Sequence, residues 1–563
     1  MTDLIVRDLL DEFQSLKEIR KPYENTWQEI ADNVVPNRSG FTTDDPDKGI
    51  HRGQLIQDGT PLAALATYKS GLMGRLLSSF FNWFSVRTPD EDMMDVREIR
   101  MWLSKVDQVL YGMIARSNFY PQMYEFFGDG GSIGTATIYR YWNAAYQREV
   151  FSVRHPREIY VAEDEEGSVD TIFRPTLMSY KNMVQAFKDD ELDEQYKEYS
   201  NDPDMRNQEG KILHVVKPNE SFNPKKASKT SKRYASWYID IEHESIIRKG
   251  GYTVFPYAIW RVEKEPDETY GRGPGWRALS DIKSLYAYAK TDITAAQMLV
   301  NPPLEIPEER RGQVKWVPGG RNYYSDANRR IIEPERNINL QAGLEREQRQ
   351  QAIVEKHFMV PFFTMMQNIG EMTRERTAYE VRRIEEETAI LLGPHITGLN
   401  QDVMDKLIDG MFNDAWEAGL IPPAPERLLK SMNGRRLEVD YMGPLALAQR
   451  SFFHSEPYRK TLTDIAQTLA VDPTGGTARI LDNYDWDRVT REMAKSNGLP
   501  EEAMLDEKTV AKMRQVRAEQ MAKQQQMAQL EQLGKAMPGL SKGAEEGSVA
   551  KSMEKAKAGT PAA

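Results

Sequence analysis

Residues 271–303 read GRGPGWRALSDIKSLYAYAKTDITAAQMLVNPP, and within them Leu279, Ile282, Tyr286, Ala289, Ile293, Ala296 and Val300 recur at alternating steps of 3 and 4. That spacing is a heptad seam. Asn301, Pro302 and Pro303 end it, because proline has no amide hydrogen to donate and its ring crowds the preceding turn. The seam predicts a long helix from Ala278 to Val300, roughly 35 Å at 1.5 Å per residue, about the height of a domain. Its alanines let a neighbouring helix approach closely. Periodicity alone fits an ordinary core helix at least as well as a helix set apart for lengthwise packing, so the flanking sequence has to say what the helix faces.

Downstream, residues 302–340 are too rich in proline, glycine and charge for a core and too aromatic for a disordered linker. They predict a small projecting β or α/β excursion. The run LEREQRQQAIVEKHFMV (344–360) has high helix propensity but offers only Leu344, Ile353, Val354 and Phe358 for burial, so a wide arc should face water. Two long helices around a compact insertion suggest a stalk with a tip. A loop follows over FFTMMQNIGEMTRER (362–376), and Thr377 with Glu380 forms a capping box opening a helix that Gly393 and Pro394 stop. Further helices are expected over 402–419 and 450–470, the latter with Leu462, Ile465 and Leu469 inward.

Upstream, Thr60 and Pro61 open a helix with apolar Leu62, Leu65, Ala66, Leu72, Met73, Leu76 and Leu77. A second carries Ile99, Trp102, Leu103, Val106, Leu110, Met113 and Ile114 before Ser117 and Asn118 break it. Between them FFNWFSV (80–86) suits a buried strand. From about 128 to 266 the period moves toward two, predicting an antiparallel sheet region with a hairpin at Gly250 and Gly251 and a polar, basic loop over 218–233. The fold class is therefore α+β, mainly helical. Beyond Pro500 the chain is rich in Gln, Met and Ala, helical only with partners, and its last thirty or so residues look disordered.

At 563 residues the chain exceeds what one hydrophobic core normally serves, and its apolar (40%) and charged (28%) fractions are those of a soluble folded protein. No run approaches the roughly 18 apolar residues of a membrane span, and Asp3, Arg7 and Asp8 stand where a signal peptide would be apolar. The absence of cysteine removes disulfides and thiolate chemistry. A net charge of −11 argues against tight DNA binding, which displaces counterions through Lys and Arg, and it fits a conduit along which DNA must slide as well as it fits a protein that never meets DNA.

Catalytic signatures are sparse. No phosphate-binding G-x-x-x-x-G-K-S/T loop occurs, and GDGGSIGTA (128–136), although it holds a G-x-S-x-G string at 130–134, reads as a turn into a strand and not as the strand-to-helix turn of a nucleophile elbow. His243 with Glu244 lacks the second histidine of a zinc helix, and Glu163–Glu166 reads as a hairpin tip before a cation site. No cofactor and no metal are expected. Arg310, Arg311, Lys315 and Arg321 in the expected tip, and Arg374 and Arg376 in the loop before the capping box, can meet phosphates or an acidic partner, though such clusters are by default solvated surface.

Several strings, in this order, resemble the head-to-tail connecting family of podovirus portals: TWQEIADNVVPNRSGF, DGTPLAALATYKSGLMGRLLSSFFNWFSV, SNFYPQMYEFFGDGGSIGTATIYRY, the segment from GRGPGW to PPLEIPEE, TAYEVRRIEEE, GLIPPAPE and YMGPLALAQR. They cover about residues 20 to 450. The resemblance implies a non-enzymatic ring of typically twelve subunits, with wing, stem, clip and crown around a central channel at one capsid vertex. On that plan 1–270 is wing, 271–300 the first stem helix, 301–340 the clip, 341–362 the second stem helix, 363–400 a tunnel loop and its returning helix, 401–505 the crown and 506–563 a tail. The seam from Leu279 to Val300 would pack between subunits, Arg374 and Arg376 would touch DNA weakly and non-specifically, and Arg310, Arg311, Lys315 and Arg321 would face the terminase large subunit and later the tail adaptor or nozzle proteins. Major capsid and scaffolding proteins would be further partners, with assembly in the host cytoplasm and residence in the virion. A DNA-processing enzyme and a monomeric capsid adaptor are the competing classes, the latter predicting a solution mass near that of one chain.

Overall fold

The computed structural model describes residues 2–38, 40–42, 53, 56–94, 96–187, 192, 194–223, 231–301, 305, 306, 308, 321–323, 340–368, 393, 396–432, 436–443, 456–471, 483–496, 504, 505 and 507–536. Helix α1 (Thr2–Val34) opens the chain, followed by α2 (Thr60–Leu76), β1 (Phe84–Arg87), α3 (Arg97–Arg116) and α4 (Phe119–Ser132). The strands β2 (Thr135–Asn143), β3 (Arg148–Arg154), β4 (Tyr160–Glu163) and β5 (Val169–Ser179) come next. Two short helices, α5 (Tyr180–Ala186) and α6 (Glu194–Asn201), separate them from β6 (Glu209–Pro218), β7 (Tyr234–Asp240), β8 (Ser245–Tyr252) and β9 (Tyr257–Arg261). Helices α7 (Pro274–Val300), α8 (Leu340–His357) and α9 (Val360–Asn368) follow. A π-helical turn at Asn400–Met404 leads into α10 (Asp405–Glu417), then α11 (Glu426–Met432), β10 (Glu438–Tyr441), α12 (Glu456–Val471), α13 (Trp486–Ser496) and α14 (Glu507–Ala536).

Among the described residues the strands form three antiparallel sheets: a five-stranded meander β4-β5-β6-β7-β8, a three-stranded β3-β2-β9 and the ribbon β1-β10. The α+β class and the antiparallel region thus stand, and the Gly250–Gly251 pair lies within β8 instead of at a hairpin turn. The stretch 80–86 is strand only from Phe84 onward, since Phe80 and Phe81 are exposed and only the following residues find a ladder partner.

Helix α1, for which the sequence suggested no element, is amphipathic along its length. Val6, Leu9, Phe13 and Leu16 cover Tyr160, Phe173, Leu213, Val215 and Ile239 of the meander. Trp27, Ile30, Ala31 and Val34 enter the main core instead. That core is strongly aromatic and takes residues from all along the chain: Trp83 and Phe84, all seven predicted inward positions of α3, Phe126 and Phe127 of α4, Trp260 of β9, Ile282 of α7, Phe358 after α8, and Leu407 and Met411 of α10. Residues between 403 and 428, within the expected crown of 401–505, contribute to this same core. A buried ionic network joins the parts: Arg140 of β2 donates to Glu149 of β3 at 3.0 Å and to Asp414 of α10 at 2.5 Å. Burial pushes the Glu149 carboxyl up to about 7, while the two carboxylates together hold the Arg140 guanidinium charged.

Candidate functional site: a projecting helical pair

Two glycine clusters of the sequence meet at the root of α7. Gly134, at φ 98° just after α4, lies so close to Gly273 that a side-chain carbon on Gly134 would come 2.2 Å from the Gly273 nitrogen, and one on Gly273 would come 2.4 Å from the Gly130 carbonyl oxygen. The GDGGSIG run is therefore the end of α4 and a left-handed turn, shaped for backbone contact with GRGPG; no phosphate cradle is built there. From this root α7 is clamped by Arg277 to Glu263 at 3.0 Å, Lys283 to Glu29 at 2.6 Å, and the Tyr286 hydroxyl donating to the Asn33 carbonyl at 2.7 Å.

The heptad seam divides at mid-helix. Leu279, Ile282, Tyr286 and Ala289 are buried. Beyond them Ile293 is 49% and Val300 87% exposed, with Ala296 half-buried. Helix α8 runs back antiparallel: Gln350 and His357 meet Asp281, both at 2.9 Å, while Arg346 and Gly343 sit against Asp292 further out. Gln351 also donates to Asp58 at 2.8 Å, and burial, which would raise that carboxyl, is outweighed by its bonds from Thr60 and Gln351, which hold it below the usual carboxylate range. Of the four residues offered for burial by α8, Val354 and Phe358 are fully buried, whereas Leu344 and Ile353 are exposed. The pair is thus rooted in the core at one end and carries exposed apolar residues, Ile293, Leu299, Val300 and Leu344, toward the other.

Met359, at φ 57°, ends α8 and turns the chain into α9, whose Phe363 ring lies directly on Gly71 of α2. Helix α9 leads toward the expected tunnel loop, and Arg374 and Arg376 lie outside the described residues, as do Arg310, Arg311, Lys315 and the capping box. Arg321 is described and exposed. Among the described residues no group of three or more His, Cys, Asp or Glu is gathered as a metal site. Glu163, in the acidic hairpin tip, is ion-paired to Arg261 and Lys264, and His243 bonds Asp240 at 2.8 Å and Tyr196 at 2.9 Å. No helix among the described residues is long and apolar enough to cross a membrane.

The family model described as bacteriophage head to tail connecting protein matches residues 6–505. The chain belongs to the bacteriophage head to tail connecting protein family. Within this family it is 27% identical over 539 residues to the portal protein of Salmonella phage epsilon15, covering 92% of each chain. It is 26% identical over 532 residues to the probable portal protein of Bordetella phage BPP-1, covering 93% of each. The matched span of the connecting-protein family includes the whole helical pair and its root, so the glycine contact and the divided seam lie inside the family's own region. In the sequence α7 is marked by its periodicity and α8 by its helix propensity. Sequence reading missed α1 and the Arg140 network, because a long helix starting at residue 2 carries no cap signal and three charges far apart in sequence carry no pattern.

Proposed function

We propose that the chain is the portal subunit of a phage head: a ring of twelve copies at one capsid vertex through which the genome is packaged and later ejected, with the terminase large subunit and then tail adaptors docking on the clip. The observation that carries this is the divided seam, whose proximal half is buried within one chain while Ile293 and Val300 are left for a neighbouring copy. Apolar positions at heptad spacing that no described residue covers are what a lateral helix–helix interface requires. On this reading α7 and α8 are the stem, residues 301–340 the clip, and the sheets with α1 to α4 and α10 the wing, leaving the crown to the chain after β10. Arg310, Arg311, Lys315 and Arg321 face the terminase and adaptors, and Arg374 and Arg376 touch passing phosphates. A net charge of −11 keeps DNA from adhering to the wall. ATP hydrolysis belongs to the terminase, the ring is assembled with capsid and scaffolding proteins in the host cytoplasm, and it resides in the virion.

Negative-stain images and native mass of the purified chain test this. Rings with a central hole and a mass of about twelve chains are expected. A homogeneous species of 64.7 kDa with no hole overturns it.

A further inference from the structure

The described residues hold one wholly solvent-facing aromatic knob and, at the other end of the same ribbon, a large apolar hole. Phe80 is 96% exposed and its neighbour Phe81 41%, on a turn between α2 and β1. Among the described residues Phe80 is left almost wholly uncovered and Phe81 partly so, and the buried Trp83 and Phe84 just beyond hold the turn in place. The hole is a groove of about 1210 Å³ between α10, α11, Trp102 of α3 and the ribbon residues Val86 and Val439 on one side and the segments at 222–233 and 253–254 on the other, mostly apolar but rimmed by Lys232, Arg233, Asp409 and Arg436. Its lining includes Phe412 and Trp416, stacked at 6.2 Å, with Leu428, Leu429 and Met432. Trp416 is 46% and Leu429 61% exposed, so the groove is open.

The register sets knob and hole apart. Phe84 pairs with Tyr441 at one end of the ribbon and Arg87 with Glu438 at the other. The knob lies beyond the first end, where the Met442 amide also bonds the Trp83 carbonyl at 2.8 Å. The groove lies at the second, where Val86, Leu437 and Val439 line it. A projection at one end and a cavity at the other is the arrangement a head-to-tail contact between identical subunits needs, and such a contact closes into a ring when its rotation closes.

Covering Phe80 buries about 150–250 Å² and the part-covered Phe81 adds less than half as much. That is too little for a whole interface of about 1,600 Å² but is what an interface anchor supplies. A duplex is a poor occupant for the knob, because its bases are stacked away from an approaching ring and the turn itself, Ser78 to Asn82, carries no Lys or Arg.

We propose that Phe80 and Phe81 of one subunit insert into the groove over Trp416 and Leu429 of the next copy of this chain, anchoring the lateral interface of the wing; this rests on the ring reading above. The chain has no cysteine, so crosslinking is unambiguous. Chains carrying both Phe80→Cys and Leu429→Cys, oxidised as assembled protein, are expected to give a ladder of covalent multimers, with neither single variant passing beyond dimers. Phe80→Asp, at so exposed a site, should melt like the parent yet lose ring yield about tenfold. Normal rings from Phe80→Asp with no ladder from the double variant overturn the pairing. Normal rings that no longer bind a tail or packaging protein overturn it too, by giving the knob to another partner. Loss of rings in Phe80→Asp without a ladder also overturns it, because the knob then seats elsewhere on the neighbour. If the parent chain itself forms no ring, the ring reading falls, and this inference with it.

Discussion

At the scale of single residues, Gly134 and Gly273 matter for what they lack. Each faces backbone atoms of the other segment within 3 Å of where a side-chain carbon would stand, and backbone cannot swing aside as a flexible side chain can. Replacing Gly273 by Ala should therefore cost about 3 kcal/mol of stability, read as a lowered unfolding midpoint, by forcing the root of α7 off α4. Gly398→Ala, with nothing within 4 Å of the added carbon and a helical position to favour it, should be neutral or slightly stabilising under the same measurement. Equal effects at the two sites would show that the close approach at Gly273 is not what seats the helix. Both glycine runs were visible in the sequence, but their meeting was not. One lies near residue 130 and the other near 272, and glycine leaves no periodic signal by which one run could name the other.

At the scale of elements, α7 behaves as two half-helices with different solvents. Ile282 is fully buried and Ile293 half in water, although the heptad treats them alike. Ile282→Ala should destabilise the isolated subunit by about 2–4 kcal/mol through lost burial and a cavity. Ile293→Ala should leave subunit unfolding within about 0.5 kcal/mol and instead weaken assembly, measured as ring fraction against protein concentration. If Ile293→Ala unfolds the subunit as readily as Ile282→Ala, the distal seam is not an intersubunit surface. The periodicity of α7 was fully legible, and so were the inward residues of α3, because a repeat of 3.6 residues is a local property of the chain. The depth to which a helix sinks into its own fold is not local, which is why one seam could be half core and half surface without any change in pattern.

At the scale of the whole molecule, one core gathers segments that a reading along the chain divides among wing, stem and crown. The Arg140 network shows how: a β2 guanidinium reaches Asp414 of α10 across 274 positions of sequence. Arg140→Met should leave Glu149, with no exposed side chain, uncompensated and cost about 3–5 kcal/mol. The double variant Arg140→Met with Glu149→Leu should recover much of that loss, because removing both charges removes the desolvation penalty. Urea unfolding of the two variants checks this. A double variant no better than the single one would mean that Arg140 acts by packing alone.

The sequence by itself determined the helical pair, the α3 face, the antiparallel region and, through its ordered strings, the family. All of these are written in local spacing or in residue identity. Tertiary structure alone decided where the seam leaves the core, that α1 spans two cores, that the glycine runs form one joint, and that an aromatic knob and an apolar hole stand at opposite ends of one ribbon. Each of those depends on which distant segments exclude water from each other, and burial of that kind is a property of the folded assembly of elements, invisible in any single stretch of chain.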